Sequence, residues 1–199
     1  MNTVIVRPER CVGCLQCRFA CSVAHSFSGS PFTAPYERLL SKPRISVGLS
    51  GRNEPFPNKC RHCDPAPCER SCPTGAIHRE AATGVVLVDP GACITCGMCA
   101  TACPFSVIRY REYPGNRVAA HKCDQCIARL REGRDPACVE VCKAGALLYG
   151  DVNRIMDAET DRLAGLVFLG IREKPAYGGP YRVLHDFRTR YEATKRRYV

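Results

Sequence analysis

The apolar positions of this chain come in short runs broken by glycine, proline and cysteine, a pattern that predicts many small elements and few long ones. β-Branched residues at 3–7 predict a strand, and further strands are expected at 44–49, 85–89 and 144–149, with 74–77 as a short connection. Residues 106–111 and 117–121 are expected to pair as a hairpin across Pro114-Gly115-Asn116. Five prolines (31, 35, 43, 55 and 57) break up the stretch from 24 to 58. One helix of ordinary length is predicted, over 157–169. The fold class expected is therefore α+β, made of short strands and helices.

Elements this small bury little, so composition decides what fills the interior. The 199 residues include no tryptophan but sixteen cysteines, all between Cys11 and Cys142. Much of the core must be something other than packed aliphatic side chains. Cysteine at this density means disulfides, zinc or iron–sulfur clusters. The first residues contain neither a secretory apolar region nor a twin-arginine signal, so a cytoplasmic, reducing location is expected and disulfides are disfavoured. The longest apolar run, 163–171, has about half the length that would cross a bilayer, so no membrane span is expected.

The cysteines fall into four groups of four: Cys11-x2-Cys14-x2-Cys17-x3-Cys21, Cys60-x2-Cys63-x4-Cys68-x3-Cys72-Pro73, Cys93-x2-Cys96-x2-Cys99-x3-Cys103-Pro104 and Cys123-x2-Cys126-x11-Cys138-x3-Cys142. The third group matches the bacterial ferredoxin run at every position, and the first matches it except for the proline. Three thiolates on a tight loop can wrap three corners of one cubane. The x3 gap begins a helical turn that sends the fourth cysteine toward a neighbouring cluster. Structural zinc uses paired C-x2-C knuckles with a spacer, and groups one and three leave no second knuckle. Sixteen thiolates suit four [4Fe–4S] clusters.

That reading also changes the meaning of the charge. The formal net charge of +10 suggests nucleic acid when every cysteine is counted neutral. Each thiolate-ligated cluster carries about −2, roughly −8 for four, which leaves the chain near neutrality. The basic excess is then counter-charge for buried anions, and no nucleic-acid partner is expected.

The segment Cys72-Pro-Thr-Gly-Ala-Ile77 is repeated as Cys142-Lys-Ala-Gly-Ala-Leu147 and more loosely as Cys103-Pro-Phe-Ser-Val-Ile108. Groups two and three follow each other closely, as the halves of a ferredoxin do. They are expected to form an inner lobe over 55–121. Groups one (1–23) and four (122–151) are left to form an outer lobe around it. Residues 24–54 are read as an insertion. Residues 152–199, without cysteine and ending in a Lys195-Arg196-Arg197 cluster, are read as a docking tail.

These features resemble the four-cluster iron–sulfur subunits of the dimethyl sulfoxide reductase iron–sulfur family. The resemblance is carried by Cys60-Arg-His-Cys-Asp-Pro-Ala-Pro-Cys68, by Cys72-Pro-Thr-Gly-Ala-Ile77, and by Lys122-Cys-Asp-Gln-Cys126 with the residues through Asn153. It implies two interlocked bacterial-ferredoxin-like lobes and a crossed ligand scheme. Cys11, Cys14, Cys17 and Cys142 would hold one cluster; Cys123, Cys126, Cys138 and Cys21 a second. Cys60, Cys63, Cys68 and Cys103 would hold a third; Cys93, Cys96, Cys99 and Cys72 a fourth. It further implies a non-catalytic, electron-transferring subunit between a catalytic oxidoreductase subunit and a second redox partner. A tungsten- or molybdenum-pterin aldehyde or formate oxidoreductase, or a carbon monoxide dehydrogenase, is the partner expected. A free polyferredoxin shuttle is the alternative.

Ser22 and Lys143 stand where the family motif has proline, and each is expected to return a backbone N–H to a cluster; Lys143 adds charge. His25, His62 and His121 lie beside cluster cysteines, but with no ligand vacancy left they are expected to support rather than ligate. Asp64 and Asp124 read as turn residues and Gly178-Gly179 as a turn in the tail. Arg129, Arg131 and Arg134 could form a docking patch for an acidic partner. No nucleophile elbow, H-E-x-x-H or glycine-rich phosphate loop is found, so no catalytic residue is expected.

Overall fold

The computed structural model describes residues 2–51 and 53–168. In chain order its elements are β1 (Asn2–Val6), α1 (Gln16–Ala24), β2 (Ser46–Leu49), β3 (Pro55–Asn58), α2 (Pro67–Arg70), β4 (Ile77–Arg79), β5 (Val86–Val88), α3 (Met98–Ala102), β6 (Arg109–Tyr113), β7 (Arg117–His121), α4 (Ile127–Arg131), α5 (Ala137–Glu140), β8 (Leu147–Asp151) and α6 (Val152–Phe168). Among the described residues the strands pair as antiparallel two-stranded ribbons. Three of these join sequence neighbours, β2–β3, β4–β5 and β6–β7. The fourth joins the two ends: β1 pairs with β8 from Asn2↔Asp151 to Val6↔Leu147.

Two-stranded ribbons this short are marginal in water by themselves and need something to pack on. Here they pack on cysteine. Ile77 and Val86 share a buried cluster with Cys68, Cys99 and Ile108. Val4 and Leu147 share another with Cys21, Cys138 and Ile45. Cys60, Cys123 and Val107 form a third between them. Likewise α1 packs on α5, and α2 on α3. Cysteine groups one and four therefore meet in space, as do groups two and three.

The expected strands are present, and so is the β6–β7 hairpin. The structure adds β4, which begins at the end of the expected 74–77 connection, and β3, whose Pro55 and Pro57 lie opposite Leu49 and Val47 of β2. Proline lacks a donor and is confined to edges, and both strands of an isolated ribbon are edges. Helix α6 begins before its expected start, because the Asp151 carboxylate accepts the backbone N–H groups of Asn153 (3.1 Å) and Arg154 (3.2 Å) and caps it. Its Glu159 is paired with Arg7 at 2.6 Å, which ties the helix to the loop after β1. Gly178-Gly179 and Lys195-Arg196-Arg197 lie outside the described residues. Among the described residues no helix is long and apolar enough to cross a membrane.

Candidate iron–sulfur centres

Each group of cysteines uses the same two backbone devices. The third cysteine is the second residue of a short helix: Cys17 in α1, Cys68 in α2, Cys99 in α3 and Cys138 in α5. Ahead of it, the second spacer residue of the leading C-x2-C step is left-handed: Gly13 (φ 70°), His62 (φ 50°), Thr95 (φ 61°) and Gln125 (φ 58°). That twist turns the amide back onto the preceding thiol. The His62 N–H donates to Cys60 Sγ at 3.4 Å, the Gln125 N–H to Cys123 Sγ at 3.3 Å, and the Gly13 N–H to Cys11. Three of these four residues carry a Cβ, and each holds a conformation that costs about 1–2 kcal/mol.

A second left-handed residue follows three places after the last cysteine of groups two, three and four. The N–H groups of Gly75 (φ 66°), Ser106 (φ 51°) and Gly145 (φ 65°) donate to the carbonyls of Cys72, Cys103 and Cys142 at 3.4, 3.2 and 3.1 Å. The chain then turns into β4, toward β6 and into β8. In group one no proline follows Cys21, and α1 runs on to Ala24.

The thiols meet across long sequence separations. All sixteen are free. Cys17 is pushed up to about 11 by burial and by Cys11, Cys14 and Cys142 around it. Cys11 is raised by burial, with Cys14 and Cys142 again among its neighbours. Cys138 is raised by burial and by Cys123, Cys21 and Cys126. Cys60, Cys63, Cys68 and Cys103 line one pocket. Cys72, Cys93 and Cys103 pack against the core cluster that contains Cys68 and Cys99. Cys14 and Cys96 are exposed on their loops.

Cys72 departs from Cys11, Cys17 and Cys138. Burial raises it, but the amides of Ile77, Thr74 and Ala76 and the Thr74 hydroxyl outweigh that and leave it below its ordinary value. Crowded, buried thiols held apart from disulfide partners, with amides aimed at sulfur, are a donor set for a soft cationic centre, and they fit iron–sulfur clusters.

A family profile described as a 4Fe-4S dicluster domain matches residues 52–152. The thiosulfate reductase electron transfer subunit PhsB of Salmonella typhi is 36% identical over 158 residues, covering 79% of this chain and 78% of that protein. A sulfite dehydrogenase subunit of Allochromatium vinosum is 33% identical over 187 residues, covering 84% and 72%. A component of the anaerobic dimethyl sulfoxide reductase of Escherichia coli (strain K12) is 33% identical over 160 residues, covering 78% and 76%. The chain belongs to the dimethyl sulfoxide reductase iron–sulfur subunit family. It is a non-catalytic electron-transfer subunit that holds [4Fe–4S] clusters.

Around the thiols, this iron–sulfur subunit arranges its histidines as supports. His62 is 2% exposed, and its Nδ1 accepts the Val86 N–H at 3.1 Å. Burial, together with the Lys122 and Lys59 cations, pushes its pKa down to about 3, so it is neutral and carries its proton on Nε2. Nε2 is buried without a partner, and the residue lines the Cys60/Cys63/Cys68/Cys103 pocket. A donor left over beside a thiol-lined pocket suits a sulfide acceptor. His121 meets the Tyr113 hydroxyl at 3.2 Å and the Lys42 carbonyl at 3.3 Å.

His25 bonds Cys21 through the carbonyl (Nδ1 at 2.7 Å) and Asp124 through Nε2 at 2.9 Å. Burial is the largest single influence and opposes its charge, but the hydrogen bonds to Asp124, Cys126 and Cys21, with the Asp124 charge, together outweigh it and push it up to about 12. Asp124 does more than make a turn. It also pairs with Arg44 at 2.6 Å and accepts the Cys126 N–H at 3.0 Å. Arg44 in turn donates its own N–H to Cys21 Sγ at 3.3 Å, so group one, group four and the segment between 24 and 54 close on one carboxylate.

Two expectations are corrected. The Lys143 N–H donates to the Val141 carbonyl at 3.0 Å and Ser22 sits inside α1, so neither returns an amide to a cluster. The basic run is already paired within the chain: Arg129 with Glu140, Arg131 with Glu80 and Arg134 with Glu132. Asp64 is exposed, 3.6 Å from Arg79. Sequence reasoning gave no role to Lys59, Lys122 and Gln125, all buried, although Lys122 and Gln125 stand in a stretch that carries the family resemblance. The Lys-Cys pair occurring twice, at Lys59-Cys60 and Lys122-Cys123, was the available signal.

Proposed function

We propose that this subunit holds four [4Fe–4S] clusters in two interlocked ferredoxin-like lobes and passes single electrons along them between a catalytic oxidoreductase subunit and a second redox partner. The ligand sets are the crossed ones: Cys11/Cys14/Cys17/Cys142, Cys21/Cys123/Cys126/Cys138, Cys60/Cys63/Cys68/Cys103 and Cys72/Cys93/Cys96/Cys99. The observation carrying the reading is that Cys142 neighbours Cys11 and Cys17 while Cys21 neighbours Cys123 and Cys138. Residues 55–121 make the inner lobe, residues 1–23 and 122–151 the outer one, and 152–199 a docking tail.

When bound, each cluster supplies a site that takes and releases one electron. The protein's part is to fix thiolates, aim amides at sulfur and keep water away from the inner sites. The names of the relatives, which specify sulfite, thiosulfate and dimethyl sulfoxide, favour a pterin enzyme acting on a sulfur compound over an aldehyde, formate or carbon monoxide enzyme.

Anaerobically purified protein should contain about sixteen irons per chain. Cys11→Ala and Cys142→Ala should remove the same electron paramagnetic resonance (EPR) signal, and Cys21→Ala and Cys138→Ala a different one. Loss of different signals within either pair would refute the crossed sets. Purification as a lone 21.9 kDa species would favour a free shuttle over a subunit.

A further inference from the structure

Two lysines are buried in the middle of the molecule. Lys59 is 0% exposed and Lys122 4%. Lysine is almost never fully buried without a partner, because removing an ammonium from water costs several kcal/mol. Neither has a carboxylate within ion-pair distance among the described residues. Their ammonium groups reach only carbonyls: Lys59 Nζ donates to Cys60 O at 2.9 Å, and Lys122 Nζ to Val86 O and to Cys123 O at 3.2 Å.

The two stand in the same place in two equivalent loops, each immediately before the first cysteine of its group. Yet each lies beside the other group's thiols. Lys122, next to Cys123 in sequence, lines the pocket of Cys60, Cys63, Cys68 and Cys103. Its charge draws Cys68 down against burial. Lys59, next to Cys60 in sequence, draws down Cys123 and Cys138 in the same way; burial lowers its own pKa, and among the thiols that oppose this Cys123 acts most, ahead of Cys138 and Cys60. Between them Cys60, Cys123 and Val107 form one buried cluster, so the two thiol sites adjoin there.

We propose that Lys59 and Lys122 are exchanged counter-cations, each raising the reduction potential of the cluster bound by the opposite loop. Lys122 serves the Cys60/Cys63/Cys68/Cys103 site and Lys59 the Cys21/Cys123/Cys126/Cys138 site. The proposal rests on the crossed ligand sets above. An added electron makes a buried, already anionic site more negative and repels charge on its neighbour. A fixed ammonium at the junction offsets both effects, so an electron can cross between lobes without a deep step in potential.

The test is an EPR-monitored redox titration of the full-length protein, with signals assigned through Cys68→Ser and Cys138→Ser. Lys122→Gln removes the charge but keeps a donor. It should lower the reduced-to-oxidised ratio of the Cys68-linked cluster about tenfold at fixed potential, about 59 mV for one electron, and change the Cys138-linked cluster less. Lys59→Gln should do the reverse. Lys122→Met and Lys59→Met, tested alongside, should repeat the crossed pattern. A larger shift in the sequence-adjacent cluster, or no shift, overturns the proposal. So does iron loss in all four variants, which would make the lysines structural. If native protein lacks the Cys68- or Cys138-linked signal, the ligand assignment fails and the proposal with it. If both signals are present, only the lysine proposal is at stake.

Discussion

Val6 and Leu147 face each other across the β1–β8 ribbon and join the two ends of the cysteine-bearing chain. Leu147 is 2% exposed and packs with Val4, Cys21 and Cys138. Leu147→Ala removes buried methyl groups where the surrounding ribbon has little to collapse with, and should cost about 2–5 kcal/mol. The damage should be local. Amide exchange at Val4 and Val6 should accelerate before exchange in β6–β7 does; uniform acceleration would show that the seam is not a separate unit.

Asp124 is the shared acceptor of His25, Arg44 and the Cys126 amide. Asp124→Asn leaves the Arg44 guanidinium facing a neutral amide in a half-buried site, draws His25 back down, and should cost about 2–3 kcal/mol. Thermal loss of the visible cluster absorbance, measured anaerobically, reports it. Adding Arg44→Met should cost little more in the Asn background than nothing at all, since the pair is already broken. Fully additive losses would mean that Arg44 acts elsewhere.

Gly75 is left-handed at φ 66° with open space where a Cβ would go. Gly75→Ala should therefore cost about 1–2 kcal/mol from backbone strain alone. Gly165 also has open space around it but lies in α6 with ordinary helical geometry, and Gly165→Ala should gain up to about 1 kcal/mol. Urea midpoints of the two variants should move in opposite directions. Equal shifts would mean that the left-handed turn after Cys72 is not required.

Acid should release α6. Asp151 and Glu159 are both held below their ordinary values, Asp151 first by a hydrogen bond from the N-terminal ammonium and then by the Arg154 and Asn153 amides at the helix start, and Glu159 chiefly by Arg162. Depressed carboxylates contribute stability that is complete above their ordinary values, 3.8 and 4.5. That stability is lost as pH falls through the lower folded values. Helical circular dichroism should fall in this acid window, and Glu159→Gln should move its onset upward. An onset unchanged by that substitution would remove Glu159 from the linkage.

The cysteine spacing made the loops and their helical turns legible, because thiolates around a cubane leave few backbone solutions. The same is true of the β1 and β6–β7 strands, whose β-branched or turn residues are local signals. What was not legible depends on distant partners. Pro55 and Pro57 argue against a strand until β2 is known to leave them an outer edge. Val152–Asn153 reads as loop until Asp151 is seen to cap the helix. Arg129, Arg131 and Arg134 looked free because Glu140, Glu80 and Glu132 are paired to them only by the fold. Lysine belongs on surfaces, so nothing local marks Lys59 or Lys122 as buried; the Cys60 and Cys123 loops beside them come together only in the fold.

Because β1 has its partner in β8, a nascent chain emerging from the ribosome exposes its first three cysteines long before the residues that enclose them exist. Cys72 and Cys103, by contrast, follow soon after Cys68 and Cys99, against whose buried cluster they pack. Residues 66–120, whose side chains share one buried cluster, are all made before residues 147–151 close the β1–β8 ribbon, so the N-terminal cysteine loop stays open while the middle of the chain packs.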